Sequence, residues 1–367
     1  MTDVDPELAK LYKEFDANGL IPLWTEREDL MPATPRPAAI PHRWRWTDLY
    51  ALAQRAGELV PVGRGGERRA ISLANPGLPG LPHATPTLWA AIQYLGPREV
   101  APVHRHAQNA FRFVLEGEGV WTIVDGDPVS MRRGDLLLTP GWAWHGHHNT
   151  TDRPMAWLDG LDIPLSSALN TEFFEFGPDT LEDRSQPARS RNERLWGGPG
   201  LRPLSATSSP SKSPLAAYRW EFTDSALTAQ LELEDEGYAG VAGPGHAAVR
   251  FTNPANGDDA LPTIRTEMHR LREGASVPAA RESASSVWQV FEGSGAFVLD
   301  GQRVEVGHGD LVTVPSWAEV AVEADTRLDL FRFSDAPVME RLGFYLTDAT
   351  NPAARIAPAT PVNPARP

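Results

Sequence analysis

Apolar residues recur at helical spacing in two places near the N-terminus and at strand spacing over most of the remaining chain. Apolar side chains three and four residues apart predict a helix over residues 5–17, followed by Gly19, and a second helix over residues 47–57. From about residue 86, short apolar runs such as TLWAAIQYL and AFRFVLEGEGVWTIVDG alternate with turn residues, and similar runs return after residue 260. Short strands between frequent glycine and proline predict an all-β protein with few helices.

The strand-rich stretches divide the chain into five predicted segments. Two barrels are expected, at residues 86–165 and residues 261–340. The remaining segments are a helical and extended N-terminal arm at residues 1–85, a connector at residues 166–260, and a C-terminal segment with a Pro/Ala-rich tail at residues 341–367.

Residues 114–147 and residues 290–322 are copies of one pattern. Turn residues fall on turn residues throughout, and the matched pairs are Glu116-Gly117 with Glu292-Gly293, Asp125-Gly126 with Asp300-Gly301, Gly134-Asp135 with Gly309-Asp310, Pro140 with Pro315, and Trp142 with Trp317. Glycine recurs at these places because tight turns require positive φ. A duplicated antiparallel barrel is the simplest structure that explains the repeat.

The composition narrows the chemistry that these barrels can carry. The 367 residues include 10 His and no Cys, and the net charge is −14. Without cysteine, a metal site must use His, carboxylate, carbonyl or water ligands. The negative charge argues against binding to nucleic acid or to an anionic membrane. Because the sequence contains no signal peptide and no apolar run of about 18 residues, we expect a cytoplasmic protein without a membrane partner.

Five of the ten histidines lie between residues 104 and 148. His104 and His106 are separated by one residue, so on a β-strand both imidazoles point to the same side and enter one barrel interior. His145 follows in PGWAWHGHHN, two strands further along. Three imidazoles that converge inside a barrel form a site for a divalent metal. The alternative is a histidine pair that occurs by chance on a surface strand.

The second copy of the repeat lacks this cluster. The positions that match His104, His106, His145 and His147 hold Ala280, Glu282, Val320 and Val322. A structural role for the histidines would be needed in both copies, so their presence in one copy favours a functional site there.

Two motifs around these histidines resemble those of the cupin family. The histidine pair followed by FRFVLEGEG is similar to the first cupin motif, and GDLLLTPGWAWHGHHN is similar to the second. The resemblance implies a bicupin, made of two double-stranded β-helix (jelly-roll) barrels, here with a short helical N-terminal region. Many cupins place a glutamate ligand four or five residues after the histidine pair, whereas Ala110 and Phe111 stand there in this chain. We therefore expect a site with three His and no carboxylate.

Longer stretches resemble the gentisate 1,2-dioxygenase family, which also contains salicylate and 1-hydroxy-2-naphthoate dioxygenases. The match extends from about residue 8 to residue 345 and includes LYKEFDANGLIPLWTEREDLMP, PTLWAAIQYLGPRE and HRHAQNAFRFVLEGEGVWT. The resemblance implies a homotetramer with one Fe(II) per subunit, held by His104, His106 and His145, and O2 as co-substrate. It also implies ring opening of a small aromatic hydroxy acid, as part of aromatic hydrocarbon catabolism.

An anionic substrate needs a local cation in a protein of net charge −14. Arg112 lies six residues after His106, an even spacing that turns it into the same barrel interior. We expect Arg112 to bind the substrate carboxylate; the alternative is an arginine paired with an acid at the barrel mouth. Arg68, in RGGERRAI, resembles a second substrate-side arginine of the family, and the sequence leaves open which of Arg64, Arg68 and Arg69 faces the site.

Further substrate contacts are expected from two other strands. One strand face carries Trp89, Ala91 and Gln93, because side chains alternate along a strand. Gln93 is expected to hydrogen-bond the substrate and Ala91 to contact it. Trp89 is expected to contact the face of the aromatic ring; the alternative is that it only packs in the barrel interior. His147 shares a face with His145 and is expected to act in acid–base catalysis or to bind the substrate hydroxyl. Asp159 is expected to hold the second ring hydroxyl or to orient His147; the alternative is a turn residue before Gly160.

The expected function is Fe(II)-dependent cleavage of the C1–C2 bond of gentisate (2,5-dihydroxybenzoate) by O2, which gives maleylpyruvate. Salicylate or 1-hydroxy-2-naphthoate cleavage is the alternative within the same family. From other classes, the alternatives are a metal-dependent cupin isomerase and a non-catalytic bicupin that binds a small acid.

Overall fold

The computed structural model describes residues 5–62, 69–177, 185–206 and 210–348, and the chain divides into two units. The first unit comprises residues 1–37 and 354–367, and its described part contains the helices α1 (Pro6–Ala17) and α2 (Leu23–Leu30). The Asp5 side chain accepts a hydrogen bond from the backbone N–H of Glu7 at 3.0 Å and so caps α1. Helix α1 confirms the helix predicted over residues 5–17.

The second unit, residues 38–353, contains the strands of both barrels. Its first elements are β1 (His42–Trp44), α3 (Trp46–Leu59) and β2 (Ala70–Ser72). Helix α3 confirms the second predicted helix and buries Trp46, Leu49 and Ala53 along one face.

The first barrel consists of two facing antiparallel sheets. Its own strands are β3 (Trp89–Leu95), β4 (Val100–His106), β5 (Ala110–Glu116), β6 (Glu118–Val124), β7 (Asp127–Arg132), β8 (Leu136–Thr139), β9 (His145–Asn149) and β10 (Met155–Leu161). The segment that follows contains α4 (Ile163–Ala168), β11 (Phe174–Phe176), α5 (Arg191–Trp196), β12 (Ala217–Tyr218) and α6 (Trp220–Asp235). One sheet has the order β12-β8-β5-β10-β3-β2 and the other β11-β4-β9-β6-β7, so strands from outside residues 86–165 complete both sheets.

The second barrel repeats this arrangement. Its elements are β13 (His246–Arg250), β14 (Arg265–Leu271), β15 (Ser276–Ala280), β16 (Ser286–Glu292), β17 (Ser294–Leu299), β18 (Gln302–Gly307), β19 (Leu311–Val314), β20 (Val320–Ala324), β21 (Leu328–Ser334) and the terminal helix α7 (Ala336–Leu342). Its sheets have the orders β1-β19-β16-β21-β14-β13 and β15-β20-β17-β18. The two barrels confirm the predicted all-β bicupin fold.

The repeat extends further than the two sequences reveal, because each half contributes a short strand to a sheet of the other. Strand β1 comes from the first half but joins a sheet of the second barrel, and the backbone N–H of Trp46, at the start of helix α3, donates to Asp310 there at 2.9 Å. Strand β12 joins a sheet of the first barrel in the same way, with the N–H of Trp220, at the start of helix α6, donating to Asp135 at 3.0 Å. The Gly-Asp pairs of the repeat therefore serve as attachment points for the helix of the other half.

The Asp-Gly pairs of the repeat form the predicted hairpin turns. Asp125 and Gly126 have φ of 46° and 76°, and Asp300 and Gly301 have φ of 47° and 81°. Positive φ at both central residues defines the type I′ turn, which glycine adopts without strain and aspartate tolerates. These turns set the register of β6 with β7 and of β17 with β18.

Aromatic side chains fill the space between the two barrels. The rings of Phe113 on β5 and Phe331 on β21 stack at 4.0 Å, and Phe111 meets Phe333 edge-on at 4.9 Å. All four side chains are fully buried. Aromatic pairs of this geometry add about 0.5–1.5 kcal/mol each beyond the area that they bury, so the halves are held as one packed core.

The described helices are short. The longest is α6, with 16 residues, whereas about 20 apolar residues are needed to cross a bilayer. Within the described parts of the chain, no helix combines the length and apolar character of a membrane span.

The second barrel contains a partly buried ion cluster. Arg332 bridges Glu267 and Glu282, and Tyr345 donates to Glu282 at 2.9 Å. The guanidinium also lies over the ring of Trp288 at 5.2 Å. Burial by itself would raise the pKa of the Glu267 carboxyl, but the attraction of Arg332 outweighs it and leaves that pKa below its ordinary value. Trp288 and Arg332 pair in the register in which Arg112 and Asp159, which line the cavity described below, pair in the first barrel.

We expect Arg332→Met to destabilise the fold by about 3 kcal/mol, because removal of one partner leaves two partly buried carboxylates without a counter-charge. The measurement is the urea midpoint of the variant against the wild type. Metal content and substrate affinity should stay unchanged, since Arg332 lies in the second barrel. A midpoint equal to the wild-type value would contradict the prediction.

Candidate metal centre and active site

Three histidines converge inside the first barrel. Strand β4 presents His104 and His106 on one side, because the residues alternate, and β9 places His145 opposite His104 in the register. One potential ligand atom from each ring lies within 4.8 Å of the other two. The ring centroids are 4.3 Å apart for His104–His145 and 4.9 Å apart for His106–His145. The predicted histidine cluster is therefore brought together by two neighbouring strands.

Each ring is oriented by a hydrogen bond to a backbone carbonyl. The Nδ1 atoms of His104, His106 and His145 lie 3.0, 2.9 and 2.9 Å from the carbonyl oxygens of Pro102, Gln108 and Ala143. A carbonyl can only accept, so each Nδ1 carries the proton and each Nε2 keeps its lone pair. The Nε2 of His145 is buried without a hydrogen-bond partner, an arrangement costly for a polar atom unless a metal binds it. The three residues thus fit a divalent metal.

The environment keeps His145 neutral. Burial lowers its pKa well below the ordinary value, and the neighbouring imidazoles and the Arg112 guanidinium lower it further. A neutral imidazole is the form that donates a lone pair to a metal.

The second barrel has no such cluster among its described residues. Ala280 pairs with Val320 there, in the register that His104 and His145 occupy in the first barrel. Trp288 faces Arg332, where the first barrel has Arg112 facing Asp159. The pairing confirms the alignment of the two copies residue by residue.

A cavity of about 520 Å³ opens beside the histidines. Its walls include Trp89, Gln93, Arg112 and Asp159 of the predicted substrate residues, together with His104 and His106. Ala91 lies between Trp89 and Gln93 on the same face of β3 and is fully buried. Ligand cavities of about 300–1,000 Å³ hold drug-sized molecules, so this one accommodates a single aromatic ring with polar substituents.

Arg112 contributes a buried cation to the cavity wall. Its Nη1 donates to the Thr139 hydroxyl at 2.7 Å, and its Nε lies 3.5 Å from Asp159. Asp159 also accepts a hydrogen bond from the indole N–H of Trp157 at 3.1 Å. Burial lowers the pKa of Arg112 and Asp159 counteracts it. The arginine is thus both paired with an acid and presented to the cavity.

His147 is 1% exposed and is not among the residues that line the cavity. Its Nδ1 is 2.9 Å from the Thr122 hydroxyl, which also lies 3.0 Å from the sulfur of Met131. Its Nε2 is buried without a hydrogen-bond partner. Burial lowers the pKa of His147 well below the ordinary value, and Arg112 and His104 lower it further. The ring is therefore neutral. Its Nδ1 is hydrogen-bonded to Thr122, and its Nε2 can still accept a hydrogen bond or a proton.

Of the three candidate arginines in RGGERRAI, only Arg69 belongs to the described residues. Arg64 and Arg68 lie outside the described residues. Arg69 is buried and forms an ion pair with Glu99, and its Nη1 also donates to the carbonyl oxygen of Val60 at 2.8 Å. Among the described residues that line the cavity, Arg112 is the only arginine.

Part of the cavity wall comes from residues that sequence reasoning missed. Glu172, Phe173 and Phe174 line it, and the ring of Phe174 lies 5.3 Å from that of His104. They reach the site because β11 pairs with β4, with Phe174 opposite His106. No local pattern in the sequence indicates that a short strand of the connector adds to this sheet. Thr122 was also missed, although a polar residue on the inner face of an apolar strand could have indicated it.

Comparisons with known proteins identify the family of the chain. Residues 91–161 match the cupin domain family. The chain is 64% identical to a gentisate 1,2-dioxygenase from Streptomyces sp. over 95% of its own length and 98% of the relative. It is 34% identical to a 1-hydroxy-2-naphthoate 1,2-dioxygenase from Nocardioides sp. (strain KP7), over 93% of the chain and 87% of the relative.

A solved structure is similar along nearly the whole chain. Salicylate 1,2-dioxygenase from Pseudoaminobacter salicylatoxidans, crystallised as an adduct with gentisate, superposes with a TM-score of 0.92. The sequences are 59% identical, and the match covers 95% of each chain. Sequence identity, length and fold agree, and this chain belongs to the gentisate 1,2-dioxygenase family of ring-cleaving bicupin enzymes.

Proposed function

We propose that this protein is an Fe(II)-dependent gentisate 1,2-dioxygenase. In the reaction, the C1–C2 bond of gentisate breaks and both oxygen atoms of O2 enter the product, maleylpyruvate. The observation that carries the proposal is the three-histidine cluster, whose ligand atoms lie within 4.8 Å of one another at the wall of a cavity that also contains the Arg112 guanidinium. The similarity to gentisate-acting relatives supports gentisate as the substrate.

The cavity residues are suited to an aromatic hydroxy acid. Arg112 offers its guanidinium to the substrate carboxylate, and a charge-assisted hydrogen bond in a buried site is stronger than one in water. Gln93 offers amide groups to the carboxylate or hydroxyl, and Asp159 offers an acceptor to a ring hydroxyl. Trp89 and Phe174 supply flat apolar walls for the ring.

His104, His106 and His145 would hold the metal through their Nε2 atoms. When bound, a redox-active divalent metal with three neutral ligands supplies a path for electrons from the ring to O2 and binds an anionic substrate through its positive charge. A hydroxyl para to the first raises the electron density of the ring, so gentisate should react faster than salicylate.

His147 and Thr122 handle the proton of the substrate hydroxyl. If the Thr122 hydroxyl donates to the Met131 sulfur, its oxygen accepts the Nδ1–H of His147. That tautomer leaves a lone pair on Nε2, which can accept a proton or a hydrogen bond. Thr122 is thus a positioning residue for a catalytic imidazole. The matching position on β17 of the second barrel is Phe297, opposite Val322, so the pair belongs to the first barrel alone.

We expect Thr122→Val to lower kcat about tenfold, because valine keeps the shape but leaves the buried Nδ1 without its partner, a loss of about 1–2 kcal/mol. Metal content should not change. Thr122→Ser keeps the hydroxyl and should restore most of the rate. The measurement is steady-state O2 uptake normalised to bound iron, and an unchanged kcat in the valine variant would exclude this role.

Metal removal gives the direct test of the proposed function. Protein treated with a chelator should consume no O2 with gentisate, and Fe(II) should restore uptake of one O2 per substrate with new near-UV absorbance from maleylpyruvate. Zn²⁺ should not restore it, because Zn²⁺ has no redox chemistry. Turnover without O2 would favour a cupin isomerase, and binding without turnover would favour a non-catalytic acid-binding protein. Faster turnover of salicylate or 1-hydroxy-2-naphthoate would reassign the substrate within the family.

Three finer expectations belong to this proposal. Iron as the metal and a homotetrameric assembly are supported by the family resemblance, and a cytoplasmic location stays a prediction. Metal analysis of the purified protein, light scattering and cell fractionation test them separately.

A further inference from the structure

Two threonines form reciprocal hydrogen bonds between the halves of the protein. Thr263, just before β14 in the second half, donates to Asp162 at the end of the first barrel at 2.6 Å. Thr87, just before β3 in the first half, donates to Asp335 at the end of the second barrel. All four residues occupy matching places in the repeat, so each half contributes one hydroxyl to the other.

The two aspartates hold matching loops. Asp162 accepts the backbone N–H of Asn109 at 2.9 Å, and Asp335 accepts the backbone N–H of Ser285 at 2.7 Å. The loop of the first barrel has two additional hydrogen bonds. The Asn109 side-chain amide also donates to Asp162 at 3.0 Å and to the Thr263 hydroxyl at 3.2 Å. Asp162 is 6% exposed, and hydrogen bonds to a buried carboxylate are strong because little water competes.

The loops differ in what they hold. In the first barrel, the loop of residues 107–109 connects His106 on β4 to β5, and its Gln108 carbonyl accepts the Nδ1–H of His106 at 2.9 Å. The Gln108 side chain is tied in turn to Ser166 at 2.8 Å. In the second barrel, the equivalent loop follows Glu282, which is no metal ligand.

We propose that Thr263 is a positioning residue for the metal centre: through Asp162 and the loop of residues 107–109, the second half of the protein sets the orientation of the His106 imidazole. This inference rests on the proposed metal centre. It assigns the metal-free barrel a part in metal binding, because a hydroxyl from that barrel completes the shell of hydrogen bonds that keeps the Gln108 carbonyl in place.

The test compares Thr263→Val with Thr87→Val in the full-length protein. Each substitution removes one inter-barrel hydroxyl and keeps the side-chain shape. Affinity for Fe(II) is measured anaerobically by competition with a chelator, alongside the thermal midpoint of each protein. We expect Thr263→Val to weaken metal affinity about tenfold. This is the lower end of the loss of about 10- to 100-fold that is typical when a group that hydrogen-bonds to a metal ligand is removed. Thr87→Val should lower the thermal midpoint to a similar extent and leave metal affinity at the wild-type value, and Thr263→Ser should restore affinity to within about twofold.

Each outcome decides between the two proposals. If the wild type binds Fe(II) and consumes O2 with gentisate but Thr263→Val binds the metal equally well, the present inference is wrong and the proposed function stands. Equal losses of affinity in Thr263→Val and Thr87→Val would also overturn it, since the effect would then be one of general stability. If the wild type binds no divalent metal, both proposals fail. Should Thr263→Val not fold, Thr263→Ala against Thr87→Ala provides the same comparison.

Discussion

Replacement of His145 by alanine is expected to remove bound metal and ring cleavage together while the fold is retained. His145 is fully buried, its Nδ1 is anchored to the Ala143 carbonyl, and its Nε2 has no hydrogen-bond partner in the protein. Binding free energies of about 10–16 kcal/mol for sites with four ligands correspond to about 3 kcal/mol per ligand. Loss of one imidazole of three should therefore weaken metal affinity by about two orders of magnitude or more.

The measurement is metal content after dialysis, with O2 uptake on the same samples. His269→Ala is the matched control, because His269 is also a largely enclosed histidine, in the second barrel, where burial lowers its pKa to about 3. Its ring contacts His246 at 3.0 Å and lies outside the cavity walls. We expect the control to lose stability and keep its metal. If His145→Ala retained metal at the wild-type level, the assignment of this cluster as the metal centre would be wrong.

Replacement of Arg112 by methionine should separate substrate binding from metal binding. Methionine fills a similar volume but cannot pair with the substrate carboxylate, and truncation of one partner of a buried charge pair costs about 2–5 kcal/mol. The corresponding loss of kcat/KM is about 30-fold to 5,000-fold for gentisate. The metal should remain, because the Nδ1 atoms of the three histidines are held by backbone carbonyls and not by Arg112.

Two comparisons make the Arg112 test specific. A dihydroxybenzene without a carboxylate should bind the variant and the wild type about equally, since the missing group is the partner of Arg112. Arg332→Met makes the same change at the matching strand of the second barrel and should lower stability alone. Unchanged kcat/KM for gentisate in Arg112→Met would mean that the arginine serves only its ion pair with Asp159.

The sequence was sufficient for features that depend on local spacing. Alternation on one strand placed His104 and His106 on the same side, and the same parity carried Arg112 inward from the next strand. Asp-Gly pairs predicted the turns, because their backbone preference is a property of the residues themselves. The repeat then identified which copy carries the site.

Contacts between distant segments could not be predicted in this way. Phe174 reaches His104 only because β11 adds to the edge of a sheet, and Thr263 meets Asp162 across 101 positions of sequence. The ion cluster of Arg332 in the second barrel likewise joins residues from separate strands. Sequence periodicity does not predict such long-range contacts, because they depend on how complete sheets pack against one another.

The sequence by itself indicated a duplicated antiparallel barrel with a histidine cluster in one copy, since these follow from strand periodicity, turn chemistry and the repeat. The resemblance to cupins added the expectation of a bicupin whose site has three His and no carboxylate. Only the tertiary structure decided the tautomer of each histidine, the acid that faces Arg112, the aromatic wall of the cavity and the contribution of the second half to the first. Those features are set by hydrogen bonds and packing between residues that the chain brings together only when both barrels are folded.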